Sequence, residues 1–312
     1  MKVLVIRLSS IGDVLLTTPV VRCLHQQLPE VELHFLVKPV AADLLRCNPN
    51  IDKLISLEPD MEATVAALRK ERYDVVIDLH NVHRSRYIRR YLGVRSLVYR
   101  KENFHKLMLV LTKVDRMSGR HVVDRYFDAV RPLGVMPDGD GLEIHLPEGL
   151  ACPQQPQEPY VVVACGAQHY TKRIPPEKIA EICRATRRRV LLLGDEADRQ
   201  RLQDAGLVID ARVTNLCGCT TLEETALLIR DAALVVTPDS ALMHIAAAFK
   251  RPVVTLWGAT TPRFGFWAYA TERRDLVPHS LRCHPCSRMG GDRCRKGHFR
   301  CMMEKQIPEL DL

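Results

Sequence analysis

Short runs of branched apolar residues alternate with helix-like stretches from the first residue onward, and this alternation constrains the fold more than any other feature of the chain. KVLVIRL, VELHFLV, DKLISL and DVVIDL read as strands bounded by turn signals, while the segment from Val14 to Leu28 and MEATVAALRKER carry helical spacing. Repeated strand–helix units imply a parallel sheet with helices on both faces. The pattern stops between Pro147 and Pro159, where four prolines and few branched apolar residues read as an interdomain linker. It restarts with YVVVAC, RVLLLG, ALVVTP and PVVTLWG, interleaved with helices near 176–188, 222–230 and 240–249. The expectation is two Rossmann-like domains, 1–150 and 151–312, facing a central ligand cleft at the carboxyl ends of their strands.

The length of 312 residues agrees with two domains, and a net charge of +8 points to an anionic partner: nucleic acid, phospholipid head groups or phosphorylated sugars. Lys2 and the apolar run behind it look superficially like a signal peptide, but Arg7, the Gly12-Asp13 pair and the lack of a small-residue cleavage site argue against one. No segment approaches the roughly 18 uninterrupted apolar residues of a membrane-spanning helix. Cys23, Cys165 and Cys183 sit in apolar periodic segments, where cysteine behaves as a small buried hydrophobe. A soluble protein of a reducing, cytoplasmic compartment is expected.

The first strand runs into Ser9-Ser10-Ile11-Gly12-Asp13. Ser9, Ser10 or Asp13 can each cap the following helix, and Gly12 permits a close backbone approach. One cap would suffice. Asp13 also stands at the carboxyl end of the first strand, where open α/β sheets place their sites, and there it could take a proton from a hydroxyl. With one glycine and no G-K-S/T the turn is neither a dinucleotide fingerprint nor a P-loop, and G-x-S-x-G is absent from the chain.

Three loops of the second half follow strands. In Cys165–Pro175, Thr171, Lys172 and Arg173 could neutralise a diphosphate just before a helix, or form a solvated basic loop. In Leu193-Gly194-Asp195-Glu196 the acids could bond a ribose hydroxyl or cap a helix. In TPDSALMH, Asp239 and Ser240 precede a helix of small and apolar residues that carries His244. Asp239 is a cap and His244 a satisfied core histidine on one reading; on the other, the N–H groups of Ser240 and Ala241 hold a phosphate that His244 lines.

SSIGDVLLTTPV near the start and GCTTLEETALLIRDAALVV leading into TPDSALMHIAAAFKRPVVTLWGATTPR resemble glycosyltransferase family 9, the ADP-heptose:lipopolysaccharide heptosyltransferases, in order and separation. The resemblance implies the two-domain GT-B fold, with an acceptor-binding first domain and a donor-binding second one. It implies an inverting transfer that needs no metal or cofactor, with Asp13 as general base. Donor contacts fall to Lys172, Thr171, Glu196, Asp239, Ser240, Ala241 and His244; Ser240-Ala241 stands where the family usually has Thr-Gly, and Pro238 is also a departure. Acceptor contacts fall to Ser10, Gly12, Arg84, Arg86 and Arg89. The implied donor is ADP-heptose. The implied acceptor is an anionic inner-core glycolipid of the Kdo-lipid A type, met at the cytoplasmic face of the inner membrane by a peripherally associated enzyme. The rivals are a same-fold transferase with another nucleotide sugar and a non-catalytic binder of phosphorylated glycans.

Arg84, Arg86, Arg89, Arg90, Arg95, Arg100, Lys101 and Lys106, interleaved with tyrosines, would alone suit nucleic acid. The resemblance accounts for them through an anionic acceptor and sets nucleic acid aside. Near the end, Cys283, Cys286, Cys294 and Cys301 follow C-x2-C-x7-C-x6-C with His298 nearby. A structural zinc fits the first pair, against reduced or disulfide-bonded thiols. The last helix of this fold often returns to the first domain, so the tail is expected to clamp the two halves.

Overall fold

The computed structural model describes residues 1–206 and 210–311. The chain forms two compact units. The first holds Met1–Lys101 and Arg120–Pro147; the second holds Glu102–Gly119 and everything described from Glu148 on. Segment 102–119 therefore lies within the first half of the sequence but packs with the second unit. There Lys113 Nζ donates to the carbonyls of Cys283 (3.1 Å) and Pro285 (2.6 Å), Asp115 pairs with Arg263 (2.5 Å), and Lys106 stands over the rings of Phe264 and Phe266.

The first unit carries five parallel strands: β1 (Lys2–Ile6), β2 (Glu32–Val37), β3 (Lys53–Ser56), β4 (Val75–Asp78) and β5 (Arg95–Val98), in the order β3-β2-β1-β4-β5. The second carries six: β6 (Tyr160–Ala164), β7 (Arg189–Leu193), β8 (Val213–Asn215), β9 (Leu234–Pro238), β10 (Val253–Leu256) and β11 (Arg273–Leu276), in the order β11-β10-β9-β6-β7-β8. Val3–Ile6 and Tyr160–Ala164 are buried on both faces, which is why these strands are continuous apolar runs and not alternating ones. In each sheet the direction of strand addition reverses once, between β1 and β4 and between β6 and β9. Open α/β sheets bind ligands at the carboxyl ends of the strands flanking such a reversal.

The single helix expected over 14–28 is two, Ile11–Leu15 and Thr18–Gln27. Pro19 has no N–H to give Leu15, so the ladder breaks there. Thr17 and Thr18 repair the break by donating their hydroxyls to the carbonyls of Val14 (2.6 Å) and Leu15 (2.8 Å). The end of the tail packs within the second unit: Cys301, Met302 and Leu310 join that unit's core, and Leu310 N–H bonds the Ala185 carbonyl.

Helix Thr18–Gln27 is pinned by buried Arg22, which bonds Asp138 (2.6 and 2.9 Å), Glu143 (2.8 Å) and the Gly141 carbonyl (2.9 Å). The Arg22 guanidinium holds the Asp138 carboxyl down at about 2, against an ordinary 3.8. A carboxyl depressed by folding stabilises the native state above its unfolded value and loses that contribution as pH falls through the folded one. Wild-type stability should therefore drop between about pH 4 and pH 2, and Asp138→Asn, already weaker at neutral pH, should lose less across that interval. Urea unfolding across the pH series measures both slopes; equal slopes would remove Asp138 from the acid response.

Candidate active site

In the first unit, register sets the site. Ile6 pairs with Asp78, and Asp78 with Val98, so the loops after β1, β4 and β5 lie abreast. Arg7 leaves β1 buried. Its Nε donates to the Ser9 carbonyl (3.0 Å), one terminal nitrogen to the Leu79 carbonyl (2.7 Å), and the other lies 2.8 Å from Asp13 Oδ1. Asp13 Oδ2 accepts from the Ser10 hydroxyl (2.8 Å) and faces the Ser10 N–H at 3.4 Å. Ser10 is the N-cap and Asp13 the reciprocal partner of a capping box. Capping is thus realised, and it leaves the carboxylate fixed from two sides with about a quarter of its surface open. Gly12 is buried in ordinary helical backbone.

The Leu8 N–H approaches His80 Nδ1 at 3.3 Å, so the neutral ring carries its hydrogen on Nε2. Burial, reinforced by Arg7 and Lys101, pushes the His80 imidazole down to about 3. Burial and then Arg7 lower the Lys101 ammonium, which is half-buried and without a hydrogen bond or ion pair among the described residues. Burial alone would lower Arg7, but Asp13 above all, with Tyr126 and Tyr99, holds it above its ordinary value.

The three candidate arginines of helix His83–Leu92 part company. Arg84 and Arg86 are exposed, Arg86 bonding the Asn81 side chain at 3.1 Å. Arg89 turns inward, 2.8 Å from fully buried Asp78, whose other oxygen accepts the N–H groups of His80 (3.0 Å) and Asn81 (2.7 Å). Arg89 thereby steadies the loop that carries His80.

In the second unit the loops after β6 and β9 meet. Lys172 Nζ lies 2.8 Å from Asp239 Oδ2, and the Thr260 hydroxyl donates to the same oxygen at 2.7 Å. Asp239 Oδ1 has no partner among the described residues. Ser240 is the N-cap of helix Ala241–Ala248, with its hydroxyl 3.1 Å from that of Thr237 and its cap side chain uncommitted to the helix. His244 is buried one turn in. Thr171 is buried, its hydroxyl accepting the Gly291 N–H at 2.9 Å, so it braces the loop. Asp195, not Glu196, caps helix Glu196–Asp204; the Glu196 carboxylate is exposed.

The cysteine-rich tail supports this centre. Cys286 N–H bonds the Ala259 carbonyl, His284 the Thr260 carbonyl, and Gly291 brackets Thr171. The approach is tight: a Cβ on Gly258 would sit 2.3 Å from the Thr171 carbonyl oxygen. Cys283 Sγ is 3.9 Å from His298 Nε2. Cys283, Cys286, Cys294 and Cys301 do not bring three ligand atoms within 4.8 Å of one another; among the described residues the set that does is Glu32, His34 and Glu71. That set is occupied by ammonium groups, with Lys2 at 2.6 Å and Lys53 at 2.5 Å from Glu71.

The model of glycosyltransferase family 9 (heptosyltransferase) matches residues 61–293. The chain belongs to that family. As a family member it is a glycosyltransferase of GT-B type. It is similar to lipopolysaccharide heptosyltransferases 3 and 2 of Escherichia coli K12, at 29% and 27% identity, over 84% and 85% of this chain and 83% and 84% of those proteins. The solved E. coli ADP-heptose lipopolysaccharide heptosyltransferase II shares the fold with a TM-score of 0.71 at 23% identity, over 97% of this chain and 98% of that one.

Sequence reasoning passed over Arg7, His80 and Thr260 as site residues, and Lys101 stood only as one cation in a run. Removing one partner of the Arg89–Asp78 pair strands a buried carboxylate. Arg89→Met should therefore cost about 2–4 kcal/mol in urea unfolding, while exposed Arg86→Met should stay within about 0.5 kcal/mol. Equal, small losses would show that Arg89 does not anchor the loop.

Proposed function

We propose that the chain transfers a heptose from ADP-heptose to an anionic lipopolysaccharide inner-core acceptor of the Kdo-lipid A type, inverting the anomeric centre. The first unit receives the acceptor and the second the donor. The enzyme works peripherally at the cytoplasmic face of the inner membrane; among the described residues no helix is long and apolar enough to cross one. Two E. coli relatives named as lipopolysaccharide heptosyltransferases and a structural neighbour named for ADP-heptose support the donor and acceptor classes.

The observation that carries the donor assignment is the Lys172–Asp239 pair at the amino end of a buried helix. An ammonium and free N–H groups suit a diphosphate, and the open Oδ1 of Asp239 suits sugar hydroxyls. The acceptor hydroxyl attacks the anomeric carbon as its proton passes to Asp13 Oδ2. The bond from that carbon to the diphosphate oxygen breaks, and ADP leaves with its developing charge met by Lys172 and the helix terminus. Exposed Arg84 and Arg86, with the His80 Nε2–H, face acceptor anions. No step is assigned to a cofactor.

A thermal-shift series with ADP, UDP, GDP and CMP and their sugars tests the donor, because a ligand that binds only the native state raises its melting temperature. ADP-heptose should give the largest shift; preference for another nucleotide sugar would replace the donor. Lys172→Ala should weaken ADP and ADP-heptose alike, each by about tenfold or more, as expected for a charge-assisted contact of about 1.5–3 kcal/mol. Asp239→Asn should weaken mainly ADP-heptose. Equal losses of both ligands in both variants would reject this division of labour.

A further inference from the structure

Helix Asn103–Thr112 is built the wrong way round for a protein surface. A surface helix normally turns its apolar stripe to the core and its charges to water. Here Phe104 and Leu111 are 70% and 69% exposed and Leu107 37%, at spacings of three and four that place them on one face. Val114, just beyond the helix, is 48% exposed. The one ammonium of the helix, on Lys106, is half-buried, and Lys113 just beyond it is exposed yet committed to backbone carbonyls. Lys106 Nζ lies 4.2 Å from the Phe266 ring centroid, and Lys113 is tied to the carbonyls of Val110, Cys283 and Pro285. Only Leu109 is fully buried. The polar contacts hold the helix in a set orientation, and that orientation presents its apolar stripe to solvent.

The surroundings are cationic. Lys113 joins the carboxyl end of the helix to the tail, where Arg282, Arg288, Arg293, Arg295, Lys296 and Arg300 are exposed against the single acid Asp292 in segment 282–300. An apolar stripe of Phe and Leu with a basic border is the composition that inserts shallowly into a bilayer bearing anionic head groups. A second copy of the chain suits the face poorly, since a two-fold contact would set the basic border against itself.

We propose that helix Asn103–Thr112 docks the enzyme on an anionic membrane surface, burying Phe104, Leu107 and Leu111 among the acyl chains. This rests on the reading above in that a lipid-linked acceptor gives the enzyme a reason to be there.

Vesicle co-sedimentation tests it. The wild type should bind phosphatidylglycerol–phosphatidylethanolamine vesicles at least tenfold more tightly than phosphatidylcholine vesicles, and less tightly as salt rises. Phe104→Ser/Leu111→Ser should melt as the wild type does, because both side chains are exposed, and lose at least tenfold of the vesicle affinity. With lipid A-anchored acceptor in vesicles its transfer rate should fall at least tenfold; with a deacylated, water-soluble acceptor the rate should hold. Unchanged vesicle binding would overturn the proposal. So would equal losses on both acceptors, or a change of oligomeric state without a change in vesicle binding. Should the wild type transfer no heptose to either acceptor, the functional reading fails, and vesicle binding still decides the docking.

Discussion

A guanidinium buried under the carboxyl end of β1 determines what the first unit can present. Arg7 cannot leave its charge unmatched inside the protein, and all three of its nitrogens are committed, to the Ser9 and Leu79 carbonyls and to Asp13. One oxygen of Asp13 is thereby fixed, and Ser10 fixes the direction of the other. The same positive charge acts on its neighbours. It adds to the burial that holds His80 neutral, so that the ring offers a hydrogen from Nε2, and to the burial that lowers the Lys101 ammonium. A carboxylate, a neutral imidazole and a cation unpaired among the described residues thus sit on three adjacent loops around one buried arginine.

The second unit solves the same problem with different residues at the equivalent reversal of strand order. Lys172 arrives on the loop after β6, Asp239 on the loop after β9 and Thr260 on the loop after β10, and they converge on one carboxylate oxygen. The pair is preassembled: the lysine is held by a partner whose second oxygen stays open among the described residues, so both charges are in place in the protein alone. The tail earns its length here, since its backbone bonds brace the loops carrying Lys172 and Thr260.

Much of this was legible in the sequence, for physical reasons that can be stated. Parallel strands buried on both faces must be apolar runs, so KVLVIRL, YVVVAC and ALVVTP announce themselves, and the motif residues Asp13, Lys172 and Asp239 lie on the loops that follow them. The illegible parts depend on register or on direction. Arg7 looks like the stray polar end of a strand until the pairing of Ile6 with Asp78 sets it against Leu79. Thr260 reaches Asp239 only because β9 pairs with β10. Arg86 and Arg89 are three apart in one basic helix, yet one faces solvent and the other a buried carboxylate. The place of segment 102–119 turns on contacts with residues 148 to 172 positions later, and the break before Pro19 was readable from the proline itself.

The role of Asp13 is where structural support and catalysis separate, because an amide keeps one oxygen to accept from Arg7 and cannot take a proton at neutral pH. Asp13→Asn retains an oxygen for Arg7, but its NH2 cannot accept from the Ser10 N–H, and the guanidinium loses its counter-charge. The decisive measurement is the initial rate of heptose transfer by Asp13→Asn, beside its thermal melt and its melting shift with ADP-heptose. The expected result, at a temperature where the variant is folded, is turnover lowered by roughly 10²–10⁴-fold with donor response close to wild type, beside a lowered melting temperature because buried Arg7 loses its counter-charge. A protein that folds and binds donor normally and still turns over within a few-fold of wild type would show that Asp13 caps the helix and does not act as the base.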